Sequence, residues 1–314
     1  MSIDDDDEND KDMQSGFVPI ERAFEIEHNP EYDREVIDVD EMKVQRAGQI
    51  MKEWGMVMQQ KVLTSSQIQE LRTIVDDAIE DAEHSISIHR PDIAVGKDFM
   101  CFKEIGSRGL DRFDLRLTSS TAMDFVKCVI LSQNSLIVSF LQSILSTEED
   151  LTDIDYDVSV VYSRPGANAQ GWHADAKHQK GADDAGWEDN GWKTKLANSY
   201  AFCVFIPLID LDDETGFTQF WPGSHRSRNF IGFGKVAEVT KATFDAKGPA
   251  GCGIWYDYRL LHRGMPNTSN LLRPVVQIVF KKKWYVERAN YGSESIARDN
   301  LKDDMASSSN DTES

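Results

Sequence analysis

Hydrophobic residues recur at helical spacing through much of the first half of the chain. The pattern over residues 41–54 predicts a first helix, which Gly55 would end. A capping-box pattern at Thr64 opens a second helical stretch that continues to about residue 82. A third stretch covers about 119–145, with a break near 132–135. This half of the chain is therefore predicted to be rich in helix.

The second half has the pattern of β-strands. Residues 156–162 alternate between apolar and polar, and 200–208 form a continuous apolar run, which is typical of a strand buried on both faces. Turn-forming residues separate further short apolar stretches at 217–221, 253–256 and 274–286, and one short strand at 56–58 is predicted in the first half. Strands after a helical block predict a mainly β fold with packed helices, of the α+β class, around a double-stranded β-helix core, a cupin-like jelly roll.

Charge and composition set the domain limits. Hydrophobic residues make up 40% of the 314 residues, which supports a sizeable core. The formal net charge is −20, and acidic, Ser- and Asp-rich ends account for much of it. We predict disordered acidic tails at 1–16 and 293–314. Residues 17–292 are predicted to form a single jelly-roll domain whose N-terminal half is helix-rich.

The same numbers disfavour several partners. A chain this acidic shows no basic surface for phosphates, so we expect no nucleic-acid partner. No apolar run reaches the length of a membrane span, and the acidic N-terminus lacks the layout of a signal peptide. The four cysteines have no metal-type spacing and are predicted to be reduced, buried thiols. These expectations leave a cytoplasmic or nuclear location, of which we predict the cytoplasm.

Two histidines and one aspartate form a candidate metal site. His173 and Asp175 lie two apart, so in an extended segment both side chains point to the same side. His262 follows an apolar approach and supplies a third ligand from another strand. Two imidazoles and one carboxylate leave open positions on a non-haem ferrous ion. A chelating 2-oxo acid and O2 could take those positions, and a carboxylate among the ligands favours hydroxylation over halogenation.

An arginine near the distal histidine extends this pattern. Arg273 stands just before an apolar strand, 11 residues after His262. Its planar guanidinium group matches a carboxylate and could hold the far end of 2-oxoglutarate. The alternative is a surface arginine at the start of a strand. With the ligand set, Arg273 predicts an Fe(II)- and 2-oxoglutarate-dependent oxygenase, with ascorbate as a reductant.

Several other features remain open at this level. His178 is predicted to lie solvated in a loop or to contact substrate, and His225 to fix a turn rather than bind metal. The polar stretch 176–199 is either a substrate-covering lid or a surface insertion. The segment 112–116 either sends an arginine into the pocket or forms surface ion pairs.

These motifs resemble the phytanoyl-CoA dioxygenase family over roughly residues 45–285. The likeness rests on His173-Ala174-Asp175, on Pro222-Gly223-Ser224-His225, and on the stretch from His262 to Ser269 that Arg273 follows. It implies His173, Asp175 and His262 as iron ligands and Arg273 as the 2-oxoglutarate anchor. It also implies that Tyr162 and Phe205 face the co-substrate. The long polar stretch departs from the family pattern and puts an acyl-CoA substrate in doubt.

The residues and the resemblance together predict a dioxygenase. It would hydroxylate an unactivated C–H bond of a small organic or lipid-like substrate, using O2 and releasing succinate and CO2. One rival is a non-redox metal-dependent cupin, an isomerase or hydrolase, which has no need of Arg273. Another is a catalytically silent jelly-roll binding protein.

Overall fold

The computed structural model of the protein describes most of the predicted domain. Its described residues are 41–59, 61–131, 135–145, 154–176, 199–226, 230–287 and 290–297. The predicted tail at 1–16, His178, nearly all of the stretch 176–199, and the residues after 297 lie outside these ranges.

The predicted helices are confirmed within the described residues. They are α1 (Glu41–Trp54), α2 (Ser65–His89), α3 (Ser120–Phe125), α4 (Ser135–Leu145) and a further short helix α5 (Gly234–Val239). A π-helical segment, Val126–Leu131, continues α3 toward the predicted break. None of the described helices combines the length and apolar character that crossing a bilayer requires.

Helix α2 shows how local sequence sets the ends of an element. The Thr64 side chain accepts the backbone N–H of Gln67, and the Gln67 side chain accepts the N–H of Thr64, which forms the predicted capping box. The helix extends seven residues beyond the predicted end because its buried face continues through Ala82 and Ile86.

A seven-stranded antiparallel sheet forms the larger layer of the fold. Its strands are β1 (Met56–Gln59), β2 (Ile105–Gly109), β3 (Arg112–Arg116), β4 (Ile154–Ser163), β5 (Ala201–Pro207), β8 (Gly253–Asp257) and β10 (Arg273–Lys282). Their order across the sheet is β1-β8-β5-β10-β4-β3-β2. The hairpin of β2 and β3 was not predicted, because both strands carry charged residues in a short polar sequence.

A smaller sheet faces this layer and carries one metal-ligand candidate. It consists of β6 (Thr218–Phe220) between β7 (Phe244–Ala246) and β9 (His262–Gly264). Phe220 pairs with His262 across β6 and β9. Two antiparallel sheets with helices packed around them confirm the predicted jelly-roll class. Aromatic contacts close the core between them, such as that of Phe220 on β6 with Tyr256 on β8.

The prediction of a disordered tail from residue 293 is wrong for its first residues. The Ile296 side chain is buried, and its backbone N–H donates to Glu104. The Arg90 guanidinium group donates to the carbonyls of Ser295 and Ile296. One apolar side chain and these hydrogen bonds hold 293–297 against the domain, although the composition of the segment is polar.

The cysteines are only partly as predicted. No disulfide joins the four, all of which lie in the described part of the chain. Cys203 and Cys252 are buried, but Cys101 and Cys128 are exposed, so the prediction of burial is wrong for these two.

His225 fixes a turn against helix α1, as predicted. Its Nε2 lies 3.1 Å from the carbonyl oxygen of Lys52, to which it can donate. The ring packs against Gly55, where a Cβ atom would lie 2.4 Å from His225 Nδ1 and where φ is +78°. Burial lowers the pKa of His225 to about 4. The neutral ring is therefore part of the folded structure.

This burial predicts an acid-sensitive fold. The unfolded chain binds a proton at His225 below pH 6.5, whereas the folded chain resists it down to about pH 4. The stabilisation is therefore complete above pH 6.5 and is lost as pH falls toward 4. Between pH 7 and pH 5 we expect the free energy of unfolding to fall by about 2 kcal/mol. This fall corresponds to a melting temperature lower by roughly 4–8 °C.

Thermal melts of the wild-type chain and of His225→Gln at both pH values measure this effect. Glutamine keeps a donor for the Lys52 carbonyl but does not titrate. The variant should show a smaller pH dependence than the wild-type chain, and equal pH dependence in both would contradict the assignment.

Candidate metal centre

The structure brings together the three residues that the sequence predicts as metal ligands. Asp175 Oδ1 lies 3.9 Å from His173 Nε2 and 3.7 Å from His262 Nε2. One ligand atom from each of the three lies within 4.8 Å of the others. Within the described residues, they form the one group of histidine, cysteine and acidic side chains suited to hold a metal ion.

Backbone pairing sets the distance between the two histidines. His173 and His262 form an isolated antiparallel bridge, with N–H···O distances of 3.0 and 2.8 Å. This bridge adds His173 to the edge of the smaller sheet, next to β9. Two ligands therefore sit opposite each other on hydrogen-bonded backbone, which leaves their rings 4.5 Å apart between centroids.

The orientation of both rings suits metal binding. Nδ1 of His173 lies 2.9 Å from the Gly171 carbonyl oxygen, and Nδ1 of His262 lies 2.9 Å from that of Leu260. In the tautomer with a proton on Nδ1, each ring has its Nε2 lone pair free and facing Asp175. A metal ion needs this tautomer in both histidines. Burial lowers the pKa of His262 to about 4, so its ring is neutral at physiological pH.

A buried tyrosine fixes the carboxylate. The Tyr256 hydroxyl on β8 donates to Asp175 Oδ2 at 2.7 Å, while Oδ1 faces the two histidines. Burial, with the charge of Asp175 as the next cause, raises the pKa of Tyr256 well above its usual value, so the hydroxyl remains a donor. Phe205 and Phe220 pack against the tyrosine ring and hold it in place.

Replacing Tyr256 with phenylalanine should weaken metal binding. Loss of a partner that orients a ligand typically costs about 10- to 100-fold in metal affinity, and we expect a loss in this range. Anaerobic Fe(II) titration calorimetry and the electron paramagnetic resonance spectrum of bound Mn(II) measure it. Tyr162→Phe, which also removes a buried tyrosine hydroxyl, is the matched control. Equal affinity of Tyr256→Phe and the wild-type chain would refute the role.

Two buried arginines lie in register on either side of one strand of the sheet. Arg112 on β3 and Arg273 on β10 both pair with Ser163 of β4. Residues directly opposite in antiparallel strands point to the same face, so the three side chains form one row. Arg112 Nε, Ser163 Oγ and Arg273 Nε are buried and have no hydrogen-bond partner among the described residues.

Glycines make room for both guanidinium groups. A Cβ atom at Gly264 would lie 2.4 Å from Arg112 Nη1, and one at Gly216 would lie 2.5 Å from Arg273 Nη1. Arg112 donates to the carbonyls of Gly264 and Met265, and Arg273 donates to those of Thr215 and Met265. The sequence left Arg112 open between the pocket and surface ion pairs, and the structure places it in the pocket.

The electrostatics of this row favour an anion. Burial lowers the pKa of Arg112 to about 10, and burial followed by the charge of Arg112 lowers that of Arg273 to about 9. Both still carry a proton at neutral pH. Among the described residues, no carboxylate forms an ion pair with either of them. Two desolvated cations beside unsatisfied donors form a site that a carboxylate would complete.

The two remaining predicted site residues, Phe205 and Tyr162, differ in whether they line the pocket. Phe205 lines the pocket that His173, Asp175, His262, Arg112 and Arg273 also line. The prediction that Tyr162 faces the co-substrate is wrong. Its hydroxyl donates to Glu83 of α2 at 3.2 Å, on the opposite face of the sheet, and its neighbour Val161 lines the pocket instead. From Val158 onward, strand β4 has side chains packed on both faces, so alternation alone could not show which residue faces the site.

Comparison with known proteins decides the family. The sequence model described as Phytanoyl-CoA dioxygenase (PhyH) matches residues 13–275, which is most of the chain. The chain belongs to the phytanoyl-CoA dioxygenase family. Its fold and its His-Asp-His site are accordingly those of an iron- and 2-oxoglutarate-dependent oxygenase.

Solved structures share the fold of this phytanoyl-CoA dioxygenase family member. One is the non-heme alpha ketoglutarate dependent carbocyclase SnoK from nogalamycin biosynthesis, with 14% identity, a TM-score of 0.53, and coverage of 76% of this chain and 83% of that one. Another is the epimerase SnoN in complex with Fe3+, alpha ketoglutarate and nogalamycin RO. Its identity is 15% and its TM-score 0.53, over 77% of this chain and 85% of that one. At these identities the likeness concerns the fold.

Proposed function

We propose that this protein hydroxylates a C–H bond of a small organic or lipid-like substrate, using Fe(II) and 2-oxoglutarate. The observation that carries the proposal is that a His-Asp-His group shares its pocket with two buried arginines, neither of which has a carboxylate partner among the residues that the structure describes. A metal site alone fits many cupins. The arginine row adds a place for the far carboxylate of a keto-diacid.

The donor set fits a ferrous ion. His173, Asp175 and His262 would hold it, and three protein ligands leave positions open for a co-substrate. When bound, iron(II) lets O2 oxidise 2-oxoglutarate to succinate and CO2 while one oxygen atom enters the substrate C–H bond as hydroxyl.

The chain's own residues position the reactants. Tyr256 holds Asp175 so that one carboxylate oxygen faces the histidines. Arg273 and Arg112 would bind the distal carboxylate of 2-oxoglutarate, with Ser163 Oγ as a third donor between them. Phe205, Val161 and Val275 line the pocket beside them and exclude water from part of it.

A succinate-release assay tests this proposal. The purified chain is incubated with Fe(II), ascorbate, 2-oxoglutarate and O2, and succinate is measured with and without candidate substrates. Turnover that requires both Fe(II) and 2-oxoglutarate supports an oxygenase. Turnover of a substrate with Zn(II) and without 2-oxoglutarate would indicate a non-redox cupin. No turnover, coupled or uncoupled, would favour a binding protein.

Product analysis separates hydroxylation from related outcomes. The proteins that share this fold include one named a carbocyclase and one named an epimerase. Mass spectrometry under ¹⁸O2 distinguishes them, since hydroxylation adds one labelled oxygen atom to the product. Ring closure, desaturation or epimerisation would yield a product without that label and would contradict the hydroxylase assignment.

A further inference from the structure

Few backbone hydrogen bonds hold the segment 171–176, which carries His173. Those that it makes to other described residues are the two of the bridge with His262 and one from the Ala176 N–H to the Tyr258 carbonyl oxygen at 3.0 Å. Most of its side chains are partly exposed. A metal centre requires its ligand atoms at defined positions, so a segment with so few backbone contacts needs support from side chains.

Trp172 and Arg263 are the direct neighbours of the two histidine ligands on the outer face of the smaller sheet. The antiparallel bridge between His173 and His262 places Trp172 opposite Arg263. Because side chains alternate along an extended chain, both point away from the metal pocket, and neither lines it. The Arg263 guanidinium carbon lies 4.9 Å from the centroid of the Trp172 ring, which is a cation–π contact. The two segments that carry the histidines are therefore also in contact on the outer face.

Glu238 of helix α5 binds both of these neighbours with one carboxylate oxygen. Its Oε1 accepts the Trp172 Nε1–H at 2.7 Å and an N–H of Arg263 Nη1 at 3.0 Å. The second of these bonds joins two charged groups and is of the stronger, charge-assisted kind. The Glu238 side chain is 38% exposed, so solvent screens part of the attraction. We call Trp172, Glu238 and Arg263 the outer triad.

Helix α5 is closely packed against this outer face. At Gly234, the first residue of the helix, a Cβ atom would lie 2.2 Å from Trp172 Cγ, so a larger residue there would displace the ring. Ala237 is buried in a small apolar cluster with Leu261, and Trp172 packs against this cluster. The packing fixes the helix and therefore the position of the Glu238 carboxylate.

Arg263 is also held from the other side. Its Nε and Nη2 donate to Gln219 Oε1 on β6 at 3.0 and 2.7 Å, and the Gln219 amide donates to Asp245 on β7 at 2.6 Å. A planar guanidinium group that donates from three nitrogen atoms keeps one orientation. The outer triad is therefore arranged before a metal ion binds.

Resting on the proposed function, we propose that Glu238 is a positioning residue for the metal centre. It lines no part of the metal pocket and acts through the two residues that it binds. By joining Trp172 to Arg263, it keeps His173 at a distance from His262 that one ion can bridge. Without this link, the segment that carries His173 would have to be ordered when the metal binds, at a cost in affinity.

Anaerobic Fe(II) titration calorimetry of the full chain tests this role. We expect Glu238→Ala to weaken Fe(II) binding about three- to tenfold. This loss is smaller than that typical of a partner that contacts a ligand directly, because Glu238 is one contact further from the metal. Glu238→Gln keeps an oxygen acceptor and should lose less affinity. Asp76→Ala is the matched control, since Asp76 pairs with Arg72 on α2, is 46% exposed and lies outside the metal pocket.

Two further measurements separate positioning from a general loss of stability. The electron paramagnetic resonance spectrum at saturating Mn(II) reports the ligand geometry, and we expect it to change in Glu238→Ala but not in Asp76→Ala. A double-mutant cycle adds Trp172→Phe, which removes the Nε1–H and keeps an aromatic ring beside Arg263. If Trp172 and Glu238 act through their shared hydrogen bond, the double variant should bind Fe(II) within about twofold of Glu238→Ala.

Three results would overturn the inference. The first is equal Fe(II) affinity in Glu238→Ala and Asp76→Ala, and the second is an Mn(II) spectrum that is unchanged in Glu238→Ala. The third is a double variant in which the two single losses of affinity multiply. Thermal melts check that each variant folds, and Glu238→Gln carries the same comparison if Glu238→Ala does not. The proposed function fails separately, if the wild-type chain binds neither Fe(II) nor Mn(II).

Discussion

Replacing Asp175 with alanine is expected to abolish succinate release and to weaken Fe(II) binding more than any other single change in the site. Asp175 contributes the one carboxylate of the His-Asp-His group, and its loss leaves two neutral imidazoles facing a divalent cation. The fall in affinity should exceed the roughly 10- to 100-fold typical of losing a partner that only orients a ligand. The change also leaves the buried Tyr256 hydroxyl without its acceptor.

Anaerobic Fe(II) titration and the succinate assay measure both effects. Asp213→Ala is the matched control, because Asp213 is largely exposed, pairs with Lys247 and is not among the residues that line the pocket. The ligand assignment fails if Asp175→Ala retains Fe(II) affinity within threefold of the control. Chloride or azide can also be added to Asp175→Ala. The variant leaves a metal position open, and an exogenous anion should bind there.

Replacing Arg273 with alanine is expected to raise the KM for 2-oxoglutarate by about 100-fold or more. Removing one partner of a buried charged hydrogen-bonded pair commonly costs about 2–5 kcal/mol, or roughly 30- to 5,000-fold in affinity, and 100-fold lies within that range. Fe(II) affinity should remain near the wild-type value because Arg273 is not among the metal ligands. Arg273→Lys keeps the charge but not the planar fork. Its KM for 2-oxoglutarate should therefore lie between those of the wild-type chain and Arg273→Ala.

Steady-state kinetics in 2-oxoglutarate and Fe(II) titration of the same preparations make this comparison. Arg72→Ala removes a surface arginine that pairs with Asp76 on α2, and it serves as the control. A KM for 2-oxoglutarate that is equal in Arg273→Ala and the control would exclude Arg273 as the co-substrate anchor. In that case the non-redox cupin becomes the better description.

Much of the fold was predictable because its elements carry a clear period. Helix α2 shows an apolar face and a capping box, and strand β5 is continuously apolar. The ligand doublet was predictable for the same reason, since alternation places His173 and Asp175 on one side. The hairpin of β2 and β3 has no such signal, because Arg112 and Asp114 are buried through contacts made only in the folded chain.

The residues that complete the site could not be predicted from local pattern. Tyr256 meets Asp175 across 81 positions of sequence, and Glu238 meets Trp172, the neighbour of His173, across 66. Tyr162 and Val161 are both apolar neighbours on a strand buried on both faces, so their orientation depended on strand register. Register and long-range pairing are properties of the sheet, and a single sequence does not reveal them.

In the proposed binding mode, the alignment of Arg112, Ser163 and Arg273 across three adjacent strands would select diacids by their length. Hydrogen bonds hold neighbouring strands about 4.8 Å apart, so the Cα atoms of both arginines keep set positions relative to the metal group. Selection by length would then depend on the sheet alone and would require no conformational change. Diacids one carbon shorter or longer than 2-oxoglutarate would reach the same metal group with their second carboxylate displaced from both guanidinium groups.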